Sequence, residues 1–223
     1  MTTQIDTLDA IRATYGVLSK AFGYPDEELW SQLEGRALKE LIGDLASDDA
    51  EDLDGEYVFP HRSQDERTAI YLDLFELGKT PLYEGSFRPH DARAGIQEEL
   101  FRFYNFFDLK LDDEGRDYPD HIVTELEFMM YLVGLEAAAL KDGRDPTPVR
   151  LAQKDFLDRH VLVWVNEIGK RRFGADQGVY STLASWLGAF TRLHRDVVGG
   201  ALGESAVADD GRAVRDTHLA CGG

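Results

Sequence analysis

Ile122-Val-Thr-Glu-Leu-Glu-Phe-Met-Met-Tyr-Leu-Val-Gly-Leu-Glu-Ala-Ala-Ala-Leu140 decides the fold class. Ile122, Leu126, Met129, Val133, Ala137 and Leu140 return at spacings of three and four, which lines them along one face of a helix. The same spacing recurs towards the N-terminus. Leu100, Phe103, Tyr104 and Phe107 mark one helix. Ile70, Leu74 and Leu77, with Tyr71 and Phe75 beside them, predict another over about 62–77, with Gly78 as its stop. Leu8, Ile11, Tyr15, Leu18 and Phe22 predict the first, ended by Gly23, Tyr24 and Pro25. Pro25 opens a short helix through Trp30 and Leu33, and Ala37 to Leu45 reads as a further short one. Towards the C-terminus, Gly143, Pro146 and Pro148 punctuate. Leu157, Val161, Trp164 and Ile168 then carry a long helix to about Phe173, and Tyr180, Leu183, Leu187 and Phe190 carry the last strong one.

Sustained alternation of period two and Asn-Gly hairpin turns are both missing. The expected fold is therefore all-α, a single-domain helical bundle of about 8–10 helices around one core. The bundle is expected to span residues 1–198. Residues 199–223 offer glycine, alanine and charge but no apolar face, which predicts a flexible C-terminal tail. Ala46 to Glu56 is an acidic stretch expected to form a solvated loop.

The 223 residues include 42 Asp and Glu against 24 Lys and Arg, a net charge of −18. Such a chain repels phosphate backbones, so nucleic-acid binding is disfavoured, and basic partners are drawn in. The single cysteine, Cys221, excludes an internal disulfide and a cysteine-based zinc site. The N-terminal residues lack a basic segment followed by an apolar run, and no apolar stretch approaches the length of a membrane span. The expected compartment is the cytoplasm. Monomer and dimer are both compatible with the sequence.

Signatures of catalysis are missing: no phosphate-cradling GxxxxGK[ST], no GxGxxG and no GxSxG elbow. The six histidines are scattered, no two stand at i,i+4, and neither HExxH nor Glu-x-x-His occurs. No intrinsic metal site and no catalytic residue is expected.

Two segments interrupt the helical pattern. In Tyr71-Leu-Asp-Leu-Phe-Glu-Leu-Gly-Lys-Thr-Pro-Leu-Tyr-Glu-Gly-Ser-Phe-Arg-Pro89, a helix ends and a loop presents Leu82, Tyr83 and Phe87 among Pro81, Gly85 and Pro89. Exposed aromatics in such a loop leave apolar surface in water. They either fold back as a lid on the core or line a groove with Glu84 placed to pair a guanidinium. In Asp117-Tyr-Pro-Asp-His-Ile-Val-Thr-Glu-Leu-Glu-Phe-Met129, Asp120 suits a helix N-cap. His121 and Glu125 then fall at i,i+4 on one face, as an ordinary surface pair or, in a second reading, as the acid and base of a helical hydrolase.

The two segments together resemble the TorD/DmsD/NarJ-like chaperones of molybdoenzymes. Tyr71-x-x-Leu74-Phe75-x-x-Gly78, then Pro81-x-Tyr83-Glu84-x-Ser86, is similar to that family's first signature. Tyr118-Pro-Asp-His-Ile122 followed by Glu125-Leu-Glu-Phe-Met129 is similar to the second, and Gln153-x-x-Phe-Leu-x-x-His160-x-x-x-Trp164 to a later helix. The form PLYEGSFR most resembles the delta-subunit-like branch serving type II enzymes of the dimethyl-sulfoxide-reductase family. Those enzymes handle ethylbenzene, dimethyl sulfide, selenate, chlorate or nitrate.

The resemblance implies a cytoplasmic, non-catalytic chaperone. It would bind the apo catalytic subunit of a molybdenum oxidoreductase, or its basic twin-arginine signal peptide. It would assist insertion of bis(molybdopterin guanine dinucleotide) into that client and delay export until loading. Weak GTP binding is a further implication, and no intrinsic cofactor is implied. The client-binding residues carried over are Tyr71, Leu74, Phe75, Pro81, Tyr83, Glu84, Ser86, Asp120, His121 and Glu125, with Phe87 added from the loop reading. Relatives often carry tryptophan where this chain has Tyr71 or Tyr83. The alternative within this class is a non-catalytic subunit that stays in the oxidoreductase complex.

Overall fold

A computed structural model describes residues 3–37, 40, 56–77, 80–89, 93–110, 118–169 and 178–219. Seven continuous helices account for most of these residues, and pairing outside helices is confined, among the described residues, to two isolated bridges. The all-α expectation holds. The short helix expected over Ala37 to Leu45 lies outside the described residues except at Ala37 and Glu40, as does the acidic stretch from Ala46 up to Glu56.

Helix α1 (Gln4–Phe22) starts at a capping box, with Thr3 and Asp6 each accepting the other's backbone N–H. It buries Leu8, Ile11, Tyr15, Leu18 and Phe22, the stripe read from the sequence. Helix α2 (Glu27–Leu33) is capped by Asp26, one residue later than the expected start at Pro25, because the Asp26 carboxylate takes the N–H groups of Glu28 and Leu29. Helix α3 runs from Gln64 to Tyr71 and continues as a π turn over Leu72–Glu76. Gly78, the expected stop, lies outside the described residues.

Helix α4 (Arg93–Phe106) leads to α5 (Ile122–Lys141), the central rod. Val123, Met130 and Gly134 lie against Gly23, Gly16 and Arg12 of α1, while Leu126, Phe128, Met129, Leu132 and Val133 are buried, so α5 is apolar around most of its circumference. Gly143, at φ +66, turns the chain after α5 in a conformation that side chains resist.

Helix α6 runs Thr147–Phe156, a π turn over Leu157–Val161, then Leu162–Gly169. Helix α7 (Gly178–Leu219) packs Tyr180, Leu183, Trp186, Leu187 and Phe190 against α6 and α1, and its backbone continues past residue 198 into the segment read as a tail. Two polar links sit inside these interfaces. Arg150 and Gln153 of α6 donate to the two carboxylate oxygens of Glu136 on α5, at 2.7 and 2.8 Å. The Tyr15 hydroxyl and His194 Nδ1 join α1 to α7 at 2.8 Å.

Candidate functional site

The two segments that interrupt the helical pattern are hydrogen-bonded into one unit. The Ile122 N–H donates to the Leu82 carbonyl and the Glu84 N–H to the Asp120 carbonyl, each at 2.8 Å, and Tyr83 and His121 form an antiparallel bridge. A 3-10 turn over Glu84–Ser86 reverses the loop. Gly85 is required by close approach. Its N–H donates to Asp120 Oδ2 at 3.2 Å, and a Cβ there would lie 2.9 Å from that oxygen and 2.7 Å from Cγ of Arg93. Leu82 is buried and Phe87 packs on the core, so the loop folds back as a lid.

Beneath the lid three carboxyl groups are fully enclosed, and each has a different partner. Glu84 accepts from Arg88 on one oxygen and from His160 Nδ1 at 2.9 Å on the other. A carboxylate only accepts, so this contact places a proton on Nδ1 of His160. Asp120 accepts from Gln97 at 2.9 Å and from Gly85, with Arg93 Nε 3.9 Å away. Glu125 accepts from the Trp164 indole at 2.7 Å, and its other oxygen has no hydrogen-bond partner among the described residues.

Burial first, and then the Glu84 and Asp120 charges, hold the Glu125 carboxyl well above the usual carboxylate range. Among the described residues no three His, Cys, Asp or Glu side chains are placed to hold a metal ion.

The expected site residues separate by depth. Tyr71, Leu74 and Phe75 are core, with the Phe75 ring edge-on to Tyr180 at 4.9 Å. Glu84, Asp120, His121 and Glu125 are buried in the polar layer, and Pro81, Tyr83, Ser86 and Phe87 reach the surface. Three local expectations are corrected. The cap of α5 is His121, whose Nδ1 accepts from the Val123 N–H at 3.3 Å, because Asp120 is turned towards Gly85 and Gln97. His121 and Glu125 are not a surface pair: the His121 ring packs on Tyr83 at 4.9 Å, and the Glu125 carboxyl turns inward to Trp164. Glu84 is not presented to solvent, and the guanidinium it holds is the chain's own Arg88.

Several site residues were not singled out in the sequence. Arg88 was legible, standing four residues from Glu84 as ion pairs do. His160 and Trp164 carried the third resemblance but gave no sign of facing Glu84 and Glu125. Gln97 and Arg93 gave no signal. Tyr104 appeared only as a helix marker, yet its hydroxyl fixes the Pro119 carbonyl at 2.8 Å. Beyond His160, Phe103 is shared with a second surface feature. There a groove of about 640 Å³ between α4 and α6 is lined by Phe106, Phe107 and Leu151, with Phe106 81% exposed.

The chain is similar in sequence to a family of known proteins. A family model described as the nitrate reductase delta subunit matches residues 26–169, which include both signature segments and α6. The chain is 39% identical over 203 residues to the selenate reductase assembly chaperone protein of Thauera selenatis, covering 89% of this chain and 95% of that protein. It is 37% identical, with the same coverage, to the chlorate reductase assembly chaperone protein of Ideonella dechloratans. It is 44% identical over 106 residues, 42% of each chain, to the dimethyl sulfide dehydrogenase assembly chaperone protein of Rhodovulum sulfidophilum. The chain therefore belongs to the nitrate reductase delta subunit family.

Proposed function

We propose that this chain is a system-specific assembly chaperone for the catalytic subunit of a molybdenum oxidoreductase. It binds the apo subunit, or its twin-arginine signal peptide, in the cytoplasm. It keeps that subunit open while bis(molybdopterin guanine dinucleotide) is inserted, and delays export until then. The observation that carries this reading is the match over 203 residues to a selenate reductase assembly chaperone.

Physical features support it. A chain with a net charge of −18 attracts a basic peptide. Tyr83 and Phe87 give the lid a partly exposed aromatic edge above buried carboxyl groups, with Ser86 exposed beside them. Apolar residues of the client would find surface there or in the Phe106 groove. Each buried leucine supplies about 1.5–3 kcal/mol, part of it offset by ordering the peptide. Among the described residues no helix is long and apolar enough to cross a membrane.

Affinity capture of the tagged chain from its host, grown anaerobically, tests the reading. The expected result is one large catalytic subunit with its signal peptide intact and its cofactor absent. Stoichiometric capture of the mature, cofactor-loaded enzyme would instead make the chain a retained subunit. Capture of no such subunit from cells that express it would refute the chaperone assignment.

A further inference from the structure

If the client presents arginines, as the chaperone reading requires, one place in the fold is already built around a guanidinium. Arg93, the first residue of α4, has its Cζ 5.6 Å from the centre of the Tyr118 ring and 5.8 Å from that of Tyr83. Below it lies the fully enclosed Asp120 carboxylate, which takes the N–H of Gly85 and the amide of Gln97. Two aromatic faces and a fixed carboxylate are what a planar cation needs.

The occupant is loosely held. Arg93 Nε stands 3.9 Å from Asp120 Oδ2, too far for a hydrogen bond. Its side chain is 46% exposed, and Tyr118 is 56% exposed. The missing Cβ of Gly85 leaves the room in which its stem lies.

We infer that Tyr83, Tyr118 and Asp120 form a guanidinium clamp in which Arg93 is a resident stand-in, and that an arginine of the client takes the site by displacing it. The exchange is inexpensive because the buried Asp120 charge stays compensated throughout. The leaving Arg93 breaks no hydrogen bond to Asp120. An incoming arginine, not tethered at the start of α4, can approach to hydrogen-bonding distance. A lysine lacks the planar face and gains less.

The test uses two fluorescent peptides, one with two adjacent arginines and one with lysines in their place, read by anisotropy. Arg93→Ala and Arg93→Met are expected to bind the arginine peptide about tenfold more tightly than the unaltered chain, with little gain for the lysine peptide. Arg93→Met keeps the stem beside Gly85, so it reports on the clamp even if Arg93→Ala loosens the fold. Adding Tyr118→Ala, on an exposed ring, abolishes the gain. The clamp is overturned if neither Arg93 variant binds more tightly, if both peptides gain equally, or if Tyr118→Ala leaves the gain intact. Client capture with the same proteins separates the two ideas. Capture by the unaltered chain without any gain on removing Arg93 sinks the clamp and spares the chaperone reading. A gain without client capture does the reverse.

Discussion

The indole N–H of Trp164 donates to Oε2 of Glu125 at 2.7 Å, joining the middle of α6 to the first turn of α5 inside the core. Among the described residues, this is the one hydrogen bond that the Glu125 carboxyl makes. The charges of Glu84 and Asp120 both act on this carboxyl, and each of those groups has an arginine beside it.

Glu125 makes stability depend on pH in an unusual direction. Its pKa is raised in the fold, so the folded chain keeps a proton that the unfolded chain releases above about pH 4.5. Its stabilising contribution is complete below that pH and declines as pH rises towards the folded value, by up to about 1.4 kcal/mol per unit. Glu125→Gln retains an acceptor for Trp164 and removes the titration. Urea unfolding from pH 5 to 8 should show the variant gaining on the unaltered chain as pH rises. Parallel curves would show that Glu125 is ionised in the fold.

His194 acts in the opposite sense. Burial lowers its pKa to about 3, so the folded chain holds it neutral while the unfolded chain protonates it near 6.5. Its contribution is complete above about pH 6.5 and is lost as pH falls towards 3, at about 1.4 kcal/mol per unit. His194→Gln, which can still accept from Tyr15, should flatten the acid limb of the stability curve. An unchanged slope between pH 6 and 4 would assign acid sensitivity to other groups.

Glu84 is the anchor of the lid. Glu84→Ala strands Arg88 and the Nδ1 proton of His160 over a buried site. The expected loss is about 3 kcal/mol, reduced from the range for fully buried pairs because Arg88 is partly exposed. Calorimetry should show a lower Tm with the far-ultraviolet spectrum retained at low temperature. A loss below about 1 kcal/mol would mean that water replaces the carboxylate at little cost.

Gly85→Ala tests the close approach directly. The added methyl meets a flexible stem on Arg93 but a fixed oxygen on Asp120. Asp120 is held by two hydrogen bonds, so the lid must lift, at an expected cost of about 1–3 kcal/mol. Faster amide exchange at Gly85 and Glu84 would accompany it. Unchanged protection there would show that Arg93 alone gives way.

The long elements were legible because burial writes itself into sequence periodically. The stripe of Leu8, Ile11, Tyr15, Leu18 and Phe22 emerges intact as the buried face of α1. The polar layer was not legible in the same way. Glu84, Asp120 and Glu125 look like surface charges in sequence, and their burial follows from partners on distant helices: His160, Gln97 and Trp164. No local spacing encodes such pairings. The cap of α5 illustrates the point. Asp120 has the stronger local preference for that role, yet contacts from Gly85 and Gln97 claim it, and His121 caps instead.

The π turn at Leu157–Val161 sets the phase of α6. An α-helix turns about 100° per residue, and a π turn accommodates one residue more than the α period allows. Deleting a single residue there would leave both halves of α6 helical, and a spectrum would record almost nothing. The two halves would also keep their angular phase, because four residues in α form complete very nearly the rotation that five complete in the wider turn. Arg150 and Gln153 could therefore still meet Glu136 while Trp164 meets Glu125. The wide turn thus absorbs one extra residue while two separate polar contacts stay in register along a single rod. A one-residue deletion inside this turn is therefore expected to be tolerated better than one in a purely α-helical part of the rod, where the halves would rotate by about 100°.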